Sequence, residues 1–204
     1  MSSRGKGPSL LLAAIPPELA SLEAKPPTGW QVRCTGVGAI AGGVATAGLL
    51  AELKPSRVLF VGTCGSYDDR LAVGDFVEAS EALSVSLDEL EGRAYRSSLE
   101  RVRWPSTLAF SRPLEYPCHT VAVPTVITQT SEGAHRLSAL AAVEHLELTA
   151  VFAACTAVGI PCGGILVVSN QVGPDTRRQW VGNNAKVSQA LIASLISKGV
   201  FLHD

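Results

Sequence analysis

Three polar residues stand where the surrounding sequence is apolar. Glu18 follows the run 10–15 and two prolines, Glu147 lies inside HLELTAVFAA (145–154), and Asn170 closes ILVVSNQ (165–171). A carboxylate in an apolar stretch is costly unless it is paired or put to use, and a buried amide needs partners. Glu18 alone also reads as a helix-start carboxylate that favours the helix dipole. Two glycine-rich turns follow apolar runs, TGVG at 35–38 and VGTCG at 61–65. Either could cradle an anion or simply permit a tight bend. Neither carries the Lys of a P-loop, and neither has the GxGxxG spacing with an acidic partner. No GxSxG and no Cys/His pairing is present, which argues against nucleophilic hydrolase chemistry. His145 adjoins the Glu147 stretch, whereas His119, His135 and His203 belong to no motif, and each histidine reads first as a surface or satisfied residue. No cluster of metal ligands occurs, so neither a metal nor an organic cofactor is expected.

The elements that must hold these residues alternate. SLLLAAI (9–15), WQVRCTGVG (30–38), RVLFVGTC (57–64), LAVGDFVEASEAL (71–83), HTVAVPTVI (119–127) and CGGILVVSNQ (162–171) read as strands. ELASLEA (18–24) and AIAGGVATAGLLAELK (39–54) read as helices, the second stopped by Pro55. The stretch 142–161 starts as a strand and becomes a helix ending at Gly159, and 176–199 is a closing amphipathic helix. Continuous apolar strands between helices predict an α/β fold with a largely parallel or mixed sheet buried on both faces. Sites in such sheets lie at the carboxyl ends of strands. The polar insertions Glu18, Thr35-Gly36, Thr63-Cys64-Gly65, Glu147 and Ser169-Asn170 fall there. One domain over 1–204 is expected, with 84–118 as an irregular excursion or lid.

Composition narrows the partners. The 204 residues are 47% hydrophobic and 17% charged, with a net charge of −1 and no basic block, so nucleic acid and anionic membrane have no electrostatic footprint. The N-terminal apolar run is too short for a signal peptide and no run spans a bilayer. The five cysteines have no zinc spacing and read as reduced thiols of a cytoplasmic protein.

Four segments in order carry a resemblance over residues 9–198: TGVGAIAGG, FVGTCGSYDDRLAVGDFVEAS, HLELTAVFAACTAVGIP and LVVSNQ. Together they resemble the nucleoside phosphorylase and nucleosidase superfamily. The resemblance implies a single-domain three-layer α/β/α sandwich around a mixed, partly barrel-like sheet. It also implies cleavage of the N-glycosidic bond between ribose and a purine, with phosphate or water as acceptor. In the hexameric phosphorylases of this superfamily the residue matching Phe60 is a phosphate-binding arginine, and AAIPPE is similar to the nucleosidase pattern that ends in a water-activating glutamate. Both favour hydrolysis.

The roles implied are then specific. Glu18 activates water and Asn170 meets the leaving base as the catalytic pair. Glu147 binds the ribose hydroxyls and Leu146 packs on the sugar. Thr63, Cys64 and Gly65 line the sugar and water end, Ser169 is a further substrate-binding residue, and VPTVITQT matches the base-pocket strand loosely, with Thr125 and Thr128 as its lining residues. An amide at 170, where many nucleosidases have Asp, suits the N7/O6 edge of a 6-oxopurine and points to an inosine-, guanosine- or futalosine-like substrate. A phosphorylase with a rearranged phosphate site and a non-catalytic nucleoside-binding member are the alternatives. A homo-oligomer, dimer or larger, is implied by the resemblance.

Overall fold

The computed structural model describes residues 7–202, so His203 lies outside the described residues. Eight strands are arranged as β1 (Ser9–Ala13), β2 (Trp30–Cys34), β3 (Arg57–Ser66), β4 (Phe76–Ser84), β5 (Arg103–Pro105), β6 (Cys118–Val123), β7 (Val143–Glu144) and β8 (Cys162–Gln171). The helices are α1 (Pro16–Leu19, continued by one 3-10 turn), α2 (Ala39–Leu53), α3 (Leu87–Leu90), α4 (Ser131–Ser138), α5 (Leu148–Ala157) and α6 (Thr176–Ser197).

The sheet runs β2-β1-β3-β7-β6-β4-β5, and β8 pairs with both β3 and β4. The path β3-β7-β6-β4-β8 therefore returns to β3 and closes a barrel, while β1 and β2 extend from the first half of β3. Pairing is mixed: β3 runs parallel to β1 and β8 and antiparallel to β7, and β4 runs antiparallel to β5 and β8. This is the mixed, partly barrel-like sheet expected from the sequence. Closure explains why β3 and β8 are almost wholly buried along ten residues each. Both have neighbours on two edges and side chains on two covered faces, which leaves no polar alternation in their sequences.

Two apolar layers flank the sheet. One joins Phe60, Leu148 and Phe152 beneath α2 and α5, and the other joins Leu59, Val61, Leu191 and Leu195 beneath α6. Segment 84–118 contains α3 and β5. It packs on the barrel, with β5 against Glu81–Leu83 of β4 and the Thr107 and Leu108 N–H groups donating to Cys162 O. Helix α4 has no counterpart in the sequence-based expectations. It is short, and its local mark is a Thr130 side chain that accepts from Gly133 N at 3.1 Å, with Glu132 in the first turn and Arg136 in the last. Among the described residues no helix is long and apolar enough to cross a membrane.

Candidate active site

The carboxyl ends of β1, β3 and β8 and the turn before α5 open onto one cavity of ≈ 520 Å³. Of the nine residues picked from the sequence, eight line it: Glu18, Thr63, Cys64, Gly65, Leu146, Glu147, Ser169 and Asn170. Thr128 does not. It is buried, and its backbone N–H donates to Glu144 Oε1 at 3.0 Å, while its neighbours Ile127 and Gln129 reach the cavity. Thr125 is exposed outside it. No residue of 84–118 takes part in the lining.

Glu18 is held from three directions. Pro16 and Pro17 start α1 directly after β1, and the turn carries the carboxylate back over the strand end. Its Oε2 accepts from Ala14 N at 3.2 Å, and its Oε1 accepts from both Thr63 N and Thr63 Oγ1 at 2.8 Å. Trp180 of α6 then donates from Nε1 to Thr63 Oγ1 at 3.1 Å, so an indole, a hydroxyl and a carboxylate form one chain. Burial pushes the Glu18 carboxyl above its ordinary range, and the Thr63 N–H opposes that shift. A carboxylate has about four lone-pair sites. Three donors are already in place, which leaves Oε2 with a site for one more.

Glu147 occupies the start of α5. Its Oε1 accepts from Gly38 N at 2.6 Å, so the TGVG turn cradles an anion that belongs to the protein itself. Gly38 has φ 91°, a conformation that favours glycine. The other oxygen, Oε2, lies 3.3 Å from His145 Nε2. His145 Nδ1 accepts from Glu147 N at 3.2 Å, which places the ring proton on Nε2 and directs it at Glu147. Burial holds the His145 pKa down to about 4, so the ring is neutral at physiological pH. Phe60 is fully buried and meets His145 edge-on, with ring centroids 5.1 Å apart. Gly62 makes this arrangement possible. A Cβ there would stand 3.1 Å from His145 Nε2 and from Phe60 Cε1, and 3.4 Å from Glu18 Oε1.

Asn170 ends β8 on the opposite wall. Ser169 Oγ donates to its Oδ1 at 2.8 Å and also reaches Cys64 O at 3.1 Å, while Asn170 Nδ2 donates to Gln171 O at 3.2 Å. One N–H of the amide and a lone pair of Oδ1 remain for a ligand. Asn183 Nδ2 donates to Ser169 O at 2.9 Å and secures the strand end to α6. The Cys64 thiol is pushed up by burial and stays protonated.

Four further residues matter that the sequence did not single out. Glu144 accepts from Tyr67 Oη and Thr128 N at 3.0 Å each, and burial raises its carboxyl. Trp180 and Arg177 come from α6, and His145, first read as a surface or satisfied residue, is part of the cavity wall. A tryptophan on the buried face of an amphipathic helix carries no local mark of a site. Glu144 could have been noticed as a third charge beside an apolar run. Among the described residues no group of His, Cys, Asp or Glu could hold a metal ion.

A barrel of this topology, with two carboxylates and an amide gathered at its strand ends, defines a family. Residues 31–197 match the phosphorylase superfamily, and the chain belongs to it. By sequence, no curated protein matches the chain. Among solved structures, the fold is similar to 5′-methylthioadenosine/S-adenosylhomocysteine nucleosidase from Helicobacter pylori, with a TM-score of 0.80, 15% identity, and coverage of 95% of this chain and 98% of that one. Futalosine hydrolase of Helicobacter pylori gives a TM-score of 0.79 at 15% identity, covering 96% and 100%. S-adenosylhomocysteine nucleosidase from Streptococcus pyogenes gives 0.78 at 16%, covering 97% and 99%.

Proposed function

We propose that the chain is an N-ribosyl hydrolase that cleaves a purine nucleoside, a 6-oxopurine or futalosine-like one, with water activated by Glu18. The observation that carries this reading is the seat of Glu18. Three protein donors fix the carboxylate at the cavity wall and one acceptor site stays open on Oε2. The proteins whose folds it resembles, nucleosidases and a futalosine hydrolase, agree with it.

Cleavage builds positive charge on the ribose and negative charge on the base. Water is a weak nucleophile, so the free lone pair of Glu18 orients it and takes its proton. The raised carboxyl pKa of Glu18 makes it a better base than an exposed carboxylate. Glu147, with one lone pair of Oε1 taken by Gly38 and Oε2 lying near His145 Nε2, accepts from the ribose hydroxyls and holds the sugar against the attacking water. Half-buried Leu146 packs on the sugar face. Asn170 donates its remaining N–H to the departing base, and Thr63, Cys64, Gly65 and Ser169 line the pocket around the two reacting partners. Thr128 acts on the base side through Glu144 and not by direct contact.

Water is favoured over phosphate as acceptor because Phe60 brings no charge. It is buried against His145, and β3 places no cation at the Glu18 end. The reading extends to a homo-oligomer. Helix α2 has no charged residue from 39 to 51 and exposes Ile40 and Val44, next to the cavity residue Val37. Incubation with inosine, guanosine, futalosine and methylthioadenosine, with and without phosphate, tests the function by free-base release. Release without phosphate that Glu18→Gln lowers by about 10²–10⁴-fold supports it. Strict phosphate dependence refutes hydrolysis, and no release from any nucleoside refutes catalysis.

A further inference from the structure

The Thr63 hydroxyl has one proton and two lone pairs, and an indole N–H can only donate. The 3.1 Å contact from Trp180 Nε1 therefore takes a lone pair of Thr63 Oγ1, and the hydroxyl proton goes to Glu18 Oε1 at 2.8 Å. Thr63 N donates to the same oxygen at 2.8 Å. Both lone pairs of Oε1 are then in use. A proton taken up by Glu18 sits on Oε2, the oxygen with the open acceptor site. The indole has a second effect. It fills an acceptor position on Thr63 that would otherwise compete with Oε2 for a water in the same cavity.

Trp180 sits on a turn of α6 that is tied down on either side. Gln179 Oε1 accepts from Gln171 N at 2.8 Å, and Asn183 Nδ2 donates to Ser169 O at 2.9 Å. Those two partners flank Asn170 in β8. Asn184 Nδ2 also donates to Trp180 O at 2.8 Å. One turn of α6 thus grips the strand end that bears Asn170 and reaches Glu18 through Thr63. Core packing does not call for an indole here. Trp180 is half-buried and lies outside the apolar layer beneath α6, which Val187, Leu191, Ile192 and Leu195 supply.

We propose that Trp180 is a positioning residue whose indole N–H fixes the Thr63 hydroxyl on Glu18 Oε1 and so directs the attacking water, and its proton, to Oε2. This rests on the nucleosidase reading. Burial raises the Glu18 carboxyl, and the Thr63 N–H and hydroxyl oppose the rise. A hydroxyl that accepts from an indole is a stronger donor in turn, so loss of the indole lets the carboxyl rise further. A base works only when deprotonated, and the acid limb of turnover then moves to higher pH. Glu18 also faces His145 and Glu147, the Cys34 and Cys64 thiols feel its charge, and Arg177 lines the same cavity. Among the described residues none of these groups hydrogen-bonds to Thr63 Oγ1, so the relay can be broken without removing them.

The test follows base release against pH, using whichever nucleoside of the panel is cleaved fastest. Trp180→Phe keeps an aromatic ring and removes the donor. It is expected to lower kcat about 2–10-fold, the value of one hydrogen bond, with KM nearly unchanged and the acid limb moved to higher pH. In a Thr63→Val background the same change should cost nothing more, whereas in Thr63→Ser, which keeps the hydroxyl, the loss returns. Superimposed acid limbs for wild type and Trp180→Phe overturn the inference, and so does an undiminished loss in Thr63→Val. A second measurement needs no turnover. The indole N–H resonance of Trp180, assigned by its absence from Trp180→Phe, should titrate in the wild type and lose that step in Glu18→Gln and in Thr63→Val. A resonance that does not titrate, or titrates alike in Glu18→Gln, overturns the relay. A Glu18-dependent indole titration with no base released from any nucleoside sinks the nucleosidase reading and leaves the relay standing. Glu18-dependent base release with identical pH profiles for wild type and Trp180→Phe does the reverse.

Discussion

Gly65 offers the sharpest way to couple packing to chemistry. It pairs with Glu144 of β7 on one side and with Asn170 of β8 on the other, just past a bulge at Cys64/Gly65. Its backbone is therefore held on both edges and cannot retreat. A methyl group at this position would stand 2.7 Å from Val172 Cγ2 and 2.8 Å from Asn170 Nδ2. Non-bonded carbons settle at about 3.5–4.0 Å, so Val172 and Asn170 must each give way by roughly an ångström. Overpacking of this kind costs about 1–3 kcal/mol, read as a melting temperature lowered by about 2–4 °C per kcal/mol in a chain of this size. Turnover is expected to suffer more, because a misplacement of about 1 Å at a positioned group can cost about 100-fold in rate. The assay is kcat for base release beside a thermal melt of Gly65→Ala. Gly182→Ala is the control: Gly182 is an exposed position of α6 with nothing within 4 Å of an added Cβ, and it should gain about 1 kcal/mol. If Gly65→Ala kept wild-type kcat and melting temperature while the control behaved as expected, the close seating of Asn170 against β3 would have no functional meaning.

Other outcomes follow from the same geometry. Replacing Asn170 by Asp should shift preference from 6-oxopurines toward 6-aminopurines by about 10-fold or more, measured as the ratio of kcat/KM for inosine and adenosine, and an unchanged ratio removes the base assignment. His145 is neutral in the fold with a pKa of about 4, whereas an unfolded histidine titrates near ~6.5. Its contribution is therefore fully present above the unfolded value and is lost as pH falls toward the folded one. Relative to His145→Asn, the wild type should lose about 3 kcal/mol across that window in denaturant melts, and parallel curves would show that His145 is not buried neutral. Burial raises the carboxyls of Glu18, Glu144 and Glu147, so their contribution has the opposite sign. It is present below the ordinary carboxylate range and fades as pH rises through the raised values, and Glu144→Gln should flatten that part of the stability profile. Ile40→Glu, on the uncharged face of α2 where Ile40 is 86% exposed, should convert an oligomer to a monomer in sedimentation, and a monomeric wild type refutes the proposed self-association.

The sequence by itself determined the mixed α/β class, the order of the long strands and helices, and eight residues of the cavity wall. It could do so because β3 and β8 are continuously apolar, and Glu18, Glu147 and Asn170 interrupt apolar surroundings where burial is costly. Periodicity reports how a residue is covered, not by what. The donors that give those side chains their properties arrive from far along the chain: Thr63 reaches Glu18 across 45 positions, Gly38 reaches Glu147 across 109, and Trp180 reaches Thr63 across 117. Barrel closure through β8, which pairs with β3 and β4 together, sets those meetings. The turn TGVG could not be told from an external anion cradle until Glu147 was found in it. Thr128 was one residue out of phase with Ile127 and Gln129, because a segment without regular structure has no fixed face. Tertiary structure alone decided that His145 is neutral and that Arg177 lines the same cavity as three carboxylates, since a charge's neighbours are a property of space and not of spacing.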